Sequence, residues 1–109
     1  MKVIKNKVIF DTPEDWRVGL LRYHEPPEGK KFIFIFPDEE VRIFHTTGME
    51  FNIDIHFYDA NKKLVKSYRN CKPNIKFISS EKPAKYVVEI PSVGLQERYT
   101  PRDLRHPLL

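Results

Sequence analysis

Residues 51–58 constrain the fold of this chain more than any other segment. Apolar and polar side chains alternate over these eight positions, which is the period of a β-strand with one face against a core. Turn-forming residues follow at 59–63, and the aliphatic pair Leu64 and Val65 then opens another strand. The segment therefore predicts a strand, a turn and a second strand inside a β-rich domain.

The rest of the sequence adds further strands and one helix. Thr12 is a suitable N-cap, Pro13 suits the first helical position, and Asp15 stands where the acid of a capping box belongs. Segments rich in β-forming residues predict further strands at 2–10, 31–36, 41–46, 64–70 and 84–90. We therefore expect a mainly β (α+β) fold, a small antiparallel β barrel or sandwich of about six or seven strands with one short helix near residues 13–24.

The chain has enough apolar material for one core. Its 109 residues are 40% hydrophobic and include eight Phe, five Tyr and one Trp, and a chain of this length is expected to form one domain. We predict a single β-rich domain over residues 1–94. Pro101 and Pro107 interrupt any long element beyond it, so residues 95–109 are predicted to form a C-terminal tail that packs on the domain or is partly flexible.

The sequence favours a cytoplasmic location. No run approaches the roughly 18 apolar residues of a membrane-spanning helix, and the N-terminus lacks the pattern of a secretory signal, so no membrane partner is predicted. The single cysteine, Cys71, cannot form an internal disulfide, which is typical of a reducing compartment. The nearby Lys72 and Arg69 would lower the pKa of its thiol, so a reactive cysteine is one interpretation. An inert, partly buried cysteine is the simpler one.

Positive charge is concentrated in residues 61–85. The segment holds eight Lys or Arg and one acid, whereas residues 1–60 hold eight basic and eleven acidic residues. Its predicted basic surface consists of Lys62, Lys63, Lys66, Arg69 and Lys72. The interleaved Tyr68 and Phe77 suit weak single-stranded nucleic-acid binding, although Phe77 is rather expected in the core. A solvated, lysine-rich strand edge is the other interpretation, so nucleic acid is not the favoured partner.

Several segments share their order and spacing with a known family. They read Thr-Pro-Glu at 12–14, Arg-Val-Gly-Leu-Leu-Arg at 17–22, Phe-Ile-Phe-Pro at 34–37, Arg-Ile-Phe at 42–44, Ile-Asp-Ile-His-Phe-Tyr-Asp-Ala at 53–60 and Ala-Lys-Tyr-Val-Val-Glu-Ile-Pro at 84–91. Over roughly residues 3 to 94 the chain thus resembles the domain of unknown function 192 family of conserved prokaryotic proteins. The resemblance implies a small, mainly β domain with one short helix, and it implies no settled activity.

The most distinctive run of that family is absent. The family has tryptophan-methionine-lysine-asparagine-threonine before the aspartate strand, and residues 45–49 read His-Thr-Thr-Gly-Met instead. A site shared by the family at that run would be lost or altered in this chain. Arg17, Gly19, Arg22 and Asp54 are kept from the family pattern. The two arginines flank an apolar helical stripe, where they can bind a carboxylate or phosphate, but we favour pairing with Asp54 as a structural support.

His45, Asp54 and His56 form the one constellation that suggests ligand chemistry. A four-residue loop would pair Thr46 with Phe51 in a hairpin and place all three side chains on one face. Imidazole and carboxylate groups are acceptable zinc or iron ligands. No fourth ligand is evident, so neither a metal nor another cofactor is predicted.

No catalytic pattern emerges from the sequence. A Gly-x-Ser-x-Gly elbow is missing, and the four glycines are scattered rather than gathered in a phosphate-binding loop. We therefore predict a non-catalytic module that binds an unknown protein or small molecule. The candidate binding residues are Arg17, Gly19, Arg22, His45, Asp54 and His56.

Overall fold

A computed structural model describes residues 1–92, so the tail predicted at 95–109 lies outside the described residues. The described chain has six strands, one short α-helix and a 3-10 helix that follows it directly. In chain order the elements are β1 (Lys2–Ile4), β2 (Lys7–Phe10), α1 (Pro13–Val18), the 3-10 helix (Gly19–Arg22), β3 (Lys31–Phe44), β4 (Ile53–Tyr58), β5 (Leu64–Cys71) and β6 (Ile78–Pro91).

The six strands form one mixed sheet in the order β1-β2-β3-β6-β4-β5. The predicted mainly β class with one short helix is confirmed. The sheet is not wholly antiparallel, however, because β2 and β3 pair in parallel. A helical crossover between consecutive strands brings the second strand back in the same direction, and α1 lies in that crossover. Within residues 1–92 the sheet is not closed into a barrel, because β1 and β5 form its two ends.

Strand β6 separates β3 from β4, which overturns the hairpin predicted between residues 46 and 51. β6 is fourteen residues long and pairs antiparallel with β3 on one side and β4 on the other. The separate strands predicted at 31–36 and 41–46 are also wrong, because β3 is one strand that continues through Pro37 with a register shift between Ile35 and Glu40. Such an irregularity accommodates proline, which cannot donate a ladder hydrogen bond.

The α-helix begins as the sequence predicts. The Thr12 hydroxyl accepts a hydrogen bond from the Asp15 backbone N–H at 3.2 Å, and Pro13 occupies the first turn. The α-helix ends after Val18 because Gly19 has φ +49° and ψ −133°, a conformation open mainly to glycine. A Cβ at Gly19 would lie 3.3 Å from the Phe34 ring, so this glycine also lets the helical segment approach the sheet closely.

The main core lies between the helical segment and one face of the sheet. Leu20 of the 3-10 helix is 2% exposed, and Trp16 and Tyr23 pack against the same cluster. The sheet contributes Val8, Phe10, Phe32, Phe34, Phe36, Ile53, Ile55, Phe57, Ile78, Ala84 and Val87. Ile33, Tyr58 and Val88 form a second, smaller cluster. Their positions alternate with those of the main core along the strands, which assigns them to the opposite face.

Candidate functional site

A cavity of about 330 Å³ opens between the helical segment and the sheet. One wall comes from the turn where α1 passes into the 3-10 helix, and the other from β3 and β6. The lining residues are Trp16, Arg17, Val18, Gly19, Leu20, Leu21, Phe34, Phe36, Val41, Arg42, Ile43, Phe44, His45, Met49 and Glu89. A cavity of this size falls in the range of small-molecule sites in proteins.

Four aromatic rings form much of the cavity wall. The Trp16 and Phe36 ring centroids lie 4.9 Å apart, and the Phe34 and Phe44 rings meet edge to face at 5.2 Å. The Trp16 indole donates a hydrogen bond to the Phe10 carbonyl oxygen at 3.1 Å, which fixes the orientation of its ring. These contacts hold the rings in place, so the wall is largely pre-formed.

Glu89 brings a buried acid to this apolar cavity. It lies on β6, opposite Phe32 of β3 and Ile55 of β4, and only 3% of the residue is exposed. The hydrogen bonds formed within residues 1–92 include none to its carboxyl group. Burial raises the pKa of Glu89 from 4.5 to about 8, because the charged carboxylate is poorly solvated there. At neutral pH the carboxyl group is therefore mostly protonated and faces the cavity as a neutral donor and acceptor.

The positive groups of the cavity have partners of their own. The Arg42 guanidinium stacks over the Phe36 ring at 4.1 Å and donates to the Ala84 carbonyl and to Asp38 Oδ1, at 2.9 and 2.7 Å. Its hydrogen bond is the main reason that the pKa of Asp38 is lowered. Arg17 is mostly exposed and lies 3.9 Å from the Glu14 carboxylate. Arg42 thus fastens one cavity wall, while Arg17 lies at the solvent-facing rim.

The binding residues predicted from the sequence do not lie in one place in the structure. Arg17, Gly19 and His45 line the cavity. Arg22 instead packs its guanidinium 4.9 Å from the Phe10 ring centroid and 3.9 Å from Asp15 Oδ1.

Asp54 and His56 alternate with the core residues of β4, and both are fully buried. This pattern places them on the sheet face opposite the cavity, so His45, Asp54 and His56 do not form one site. His45 lies at the exposed end of β3, and β6 lies between β3 and β4. The Nδ1 atom of His56 lies 2.8 Å from the Ser67 hydroxyl. Burial lowers the pKa of His56 to about 4, so its ring is neutral at pH 7.

The predicted contact of Asp54 with Arg17 or Arg22 is wrong. Asp54 Oδ1 accepts hydrogen bonds from the Asn70 backbone N–H at 2.7 Å and from the Ser92 hydroxyl at 2.9 Å. Arg17 and Arg22 are instead paired with acids of α1, Glu14 and Asp15. Asp54 therefore ties β4 to β5 and to the end of β6, because it lies on the face turned away from the helix.

Glu89 was missed by the sequence reasoning, although a signal for it exists. It is the one acid in the apolar strand Tyr86-Val87-Val88-Glu89-Ile90. A strand that is apolar on both faces is buried on both faces, so an acid inside it must be buried too. Buried acids without a charged partner are rare, which marks such a position as a candidate functional residue.

The basic segment forms part of a sheet edge. β5 is the last strand of the sheet, and it carries Lys66, whose amine lies 3.1 Å from Glu81. The Lys62 amine lies 5.7 Å from the Tyr86 ring centroid. Lys63, Arg69 and Lys72 are exposed. Phe77, which was expected in the core, is 77% exposed. It directly precedes the buried Ile78, and neighbouring side chains in an extended chain point to opposite sides.

Residues 1–92 offer neither a cluster of metal ligands nor a membrane-spanning helix. No group of three or more His, Cys, Asp or Glu side chains is arranged there so that it could hold a metal ion. Among the same residues, no helix has both the length and the apolar character needed to cross a lipid bilayer. Cys71 is a free, buried cysteine, and burial raises the pKa of its thiol to about 11.

Comparison with solved structures supports the fold. A protein from Sinorhizobium meliloti 1021, described as a "putative transcription regulator", matches with a TM-score of 0.78 at 15% identity, over 89% of this chain and 76% of that one. A protein of unknown function from Novosphingobium aromaticivorans DSM 12444 matches with a TM-score of 0.75 at 20% identity, over 84% of this chain and 66% of that one. At such identities the likeness concerns the fold alone.

Comparison with protein families identifies the family of this chain. No curated protein matches it. The model of the domain of unknown function 192 family, described as "Uncharacterized ACR", matches residues 3–100 and so covers most of the sequence. The resemblance seen in the sequence motifs is thereby confirmed, and the chain belongs to the domain of unknown function 192 family.

Proposed function

We propose that this protein is a non-catalytic module that binds a small, mainly apolar molecule in the cavity between its helical segment and its sheet. The observation that carries the proposal is the Glu89 carboxyl group, which is 3% exposed and lines a cavity of about 330 Å³. Burying a polar group without a hydrogen-bond partner costs free energy. A bound molecule that satisfies this group would recover that cost, which gives the acid a purpose that an apolar residue would not serve.

The lining of the cavity favours binding over catalysis. Among the described residues that line it, the ionisable side chains are Arg17, Arg42, His45 and Glu89, and the remainder are apolar. The set includes no Ser, Thr, Cys or Lys that could serve as a nucleophile. An apolar lining with a few polar groups is typical of binding pockets for small molecules.

We further propose a cytoplasmic location. The support is the free thiol of Cys71, which is buried in the core and would be kept reduced in that compartment. The proposal concerns the protein's working environment, and localisation of a tagged protein in cells would test it.

A fragment screen tests the binding function. Trp16 is the single tryptophan and lines the cavity, so its indole N–H gives one resonance that reports on the site. A ligand of the cavity should shift this resonance saturably. It should also raise the melting temperature, by an amount that grows with the logarithm of ligand concentration above the dissociation constant. Glu89→Met should change the affinity, and Lys63→Met, at an exposed position, should not. If saturable ligands never perturb the Trp16 resonance, the cavity is not the binding site.

Single-stranded nucleic-acid binding by residues 61–85 is a second candidate. The observation that favours it is Phe77, an aromatic side chain that is 77% exposed beside Lys76. Exposed aromatic rings can stack on bases while lysines meet phosphates. The description of the S. meliloti neighbour is compatible with this candidate, but its 15% identity makes it no evidence for a partner.

Binding of a labelled oligothymidine tests this second candidate. Phe77→Ala should weaken a true complex, and affinity should fall steeply with salt because the lysines contribute through phosphate charge. Ile43→Ala, at another exposed apolar position, is the matched control. Equal affinity of wild type and Phe77→Ala would remove the proposed stacking contact.

A further inference from the structure

The shape and chemistry of the cavity wall narrow the class of ligand. Trp16, Phe34, Phe36 and Phe44 contribute four aromatic rings to the wall, and Glu89 is the one acid among the described residues of the lining. Aromatic walls stack well on planar rings, whereas a sugar would need several hydrogen-bonding side chains to replace its water. The cavity is therefore suited to a planar ring system that offers a hydrogen-bonding group at one place on its edge.

The Glu89 carboxyl group sets the hydrogen-bonding pattern of that edge. A protonated carboxyl group has one O–H donor next to one carbonyl acceptor. Within residues 1–92 neither oxygen has a hydrogen bond, and the group is 3% exposed. A ligand edge with an acceptor beside a donor would satisfy both oxygens at once in a cyclic pair of hydrogen bonds. A ligand with only one of the two groups would leave the other oxygen unsatisfied.

The charges around the cavity argue against ionic ligands. Arg17, Arg42 and His45 are the other ionisable groups in its lining, and the acids near the arginines, Glu14 and Asp38, already pair with them. A permanently cationic ligand would approach past two guanidinium groups. An anionic ligand beside Glu89 would disfavour ionisation of that acid further and would find both guanidinium groups paired.

Resting on the proposed binding function, we propose that the cavity takes a neutral, planar heteroaromatic molecule whose edge carries a hydrogen-bond donor next to a ring-nitrogen acceptor, and that this edge pairs with the Glu89 carboxyl group. The ring would lie among the aromatic side chains of α1 and β3. The O–H of Glu89 would donate to the ring nitrogen, and its carbonyl oxygen would accept from the neighbouring N–H. No net proton is gained or lost while the carboxyl group is protonated.

Isothermal titration calorimetry with matched probes tests the proposal. 7-Azaindole has an N–H beside a ring nitrogen, and indole has the same shape without that nitrogen. Wild type should bind 7-azaindole about tenfold more tightly than indole, the ratio expected for one buried hydrogen bond. Glu89→Met should abolish this preference, because its side chain has similar length and no hydrogen-bonding pair. Glu89→Gln should keep a preference, since an amide also offers a donor beside an acceptor.

The pH dependence of binding supplies a second and independent readout. 7-Azaindole stays neutral between pH 6 and 9, so its affinity for wild type should be flat up to about pH 7. The affinity should then fall through pH 8, because the ionised Glu89 must take up a proton to bind. The affinity for Glu89→Gln should be independent of pH over this range. Arg17, Arg42 and His45 are unchanged in the variant, so the comparison isolates Glu89.

The other outcomes overturn the proposal in distinguishable ways. Equal affinity for 7-azaindole and indole, with the Trp16 resonance shifted by both, would refute the ligand class while leaving the cavity as a binding site. Tighter binding of benzyltrimethylammonium, with affinity that rises towards pH 8, would identify a cation site instead. If neither the ring probes nor the ammonium probe shifts the Trp16 resonance at millimolar concentration, the proposed function fails with the ligand class.

Discussion

Replacing Glu89 by glutamine should remove a large pH-dependent penalty on folding. The pKa of Glu89 is about 8 in the folded protein and is ordinarily 4.5, a difference of about 3.5 pH units. At 1.36 kcal/mol per pH unit this corresponds to roughly 5 kcal/mol. The folded state prefers the protonated acid, so full stability is present below pH 4.5 and is lost as the pH rises to about 8. Only 3% of Glu89 is exposed, so solvent screens the effect little.

Urea unfolding measured at half-unit steps from pH 4 to pH 9.5 gives the free energy of unfolding of each protein. Other groups, such as His56, titrate over the same range, so the informative quantity is wild type minus Glu89→Gln at each pH. That difference should move against wild type by several kcal/mol between pH 4.5 and pH 8 and then level off. Glu28→Gln, at an exposed position, is the control and should show almost no change. A difference for Glu89→Gln that is constant across the whole range would refute the buried, protonated acid.

Three further variants or reactions test other parts of the structure. Gly19→Ala should lower the free energy of unfolding by about 1–3 kcal/mol, because of the backbone conformation of Gly19 and its 3.3 Å approach to Phe34. Gly29→Ala is the control and should cost less, since nothing lies within 4 Å of a Cβ there. Equal losses of stability in thermal denaturation would contradict the close approach. Asp54→Asn should destabilise the protein by about 1–3 kcal/mol through loss of its hydrogen bonds. In a double-mutant cycle its effect should add to that of Arg22→Met, because the two side chains do not interact. A clear coupling energy would instead support an Asp54–Arg22 ion pair. Cys71 should react with a thiol reagent at pH 7.5 only at the rate of unfolding, and rapid reaction in the native protein would contradict its burial and raised pKa.

Local features of the fold could be predicted from the sequence because their causes are local. The Thr12 N-cap and Pro13 determine where the helix begins, and alternation over 51–58 identifies β4. The order of the strands could not be predicted in the same way. β6 follows β5 along the chain but lies between β3 and β4, and this pairing depends on contacts far apart in sequence. The position of β6 also explains why the hairpin that would pair Thr46 with Phe51 was the wrong expectation.

The candidate site shows the same division between local and long-range information. Arg17, Gly19 and His45 were identified from motif and residue type, and they line the cavity. Asp54 and His56 were grouped with them through an assumed strand pairing, and the actual pairing separates the groups. The apolar neighbours of Glu89 along its strand indicate that this acid is buried. The cavity beside it depends on the helical segment that covers this face of the sheet, which strand patterns alone do not reveal.

The protonation state of Glu89 is the property on which the binding account depends most directly. Carbon-13 labelling of the glutamate side chains, with Glu89→Gln to assign the resonance, allows its carboxyl group to be titrated by NMR in the folded protein. The midpoint should lie near pH 8 in the free protein and higher with saturating 7-azaindole, because pairing stabilises the protonated form. A midpoint near 4.5, unaffected by the probe, would contradict the account.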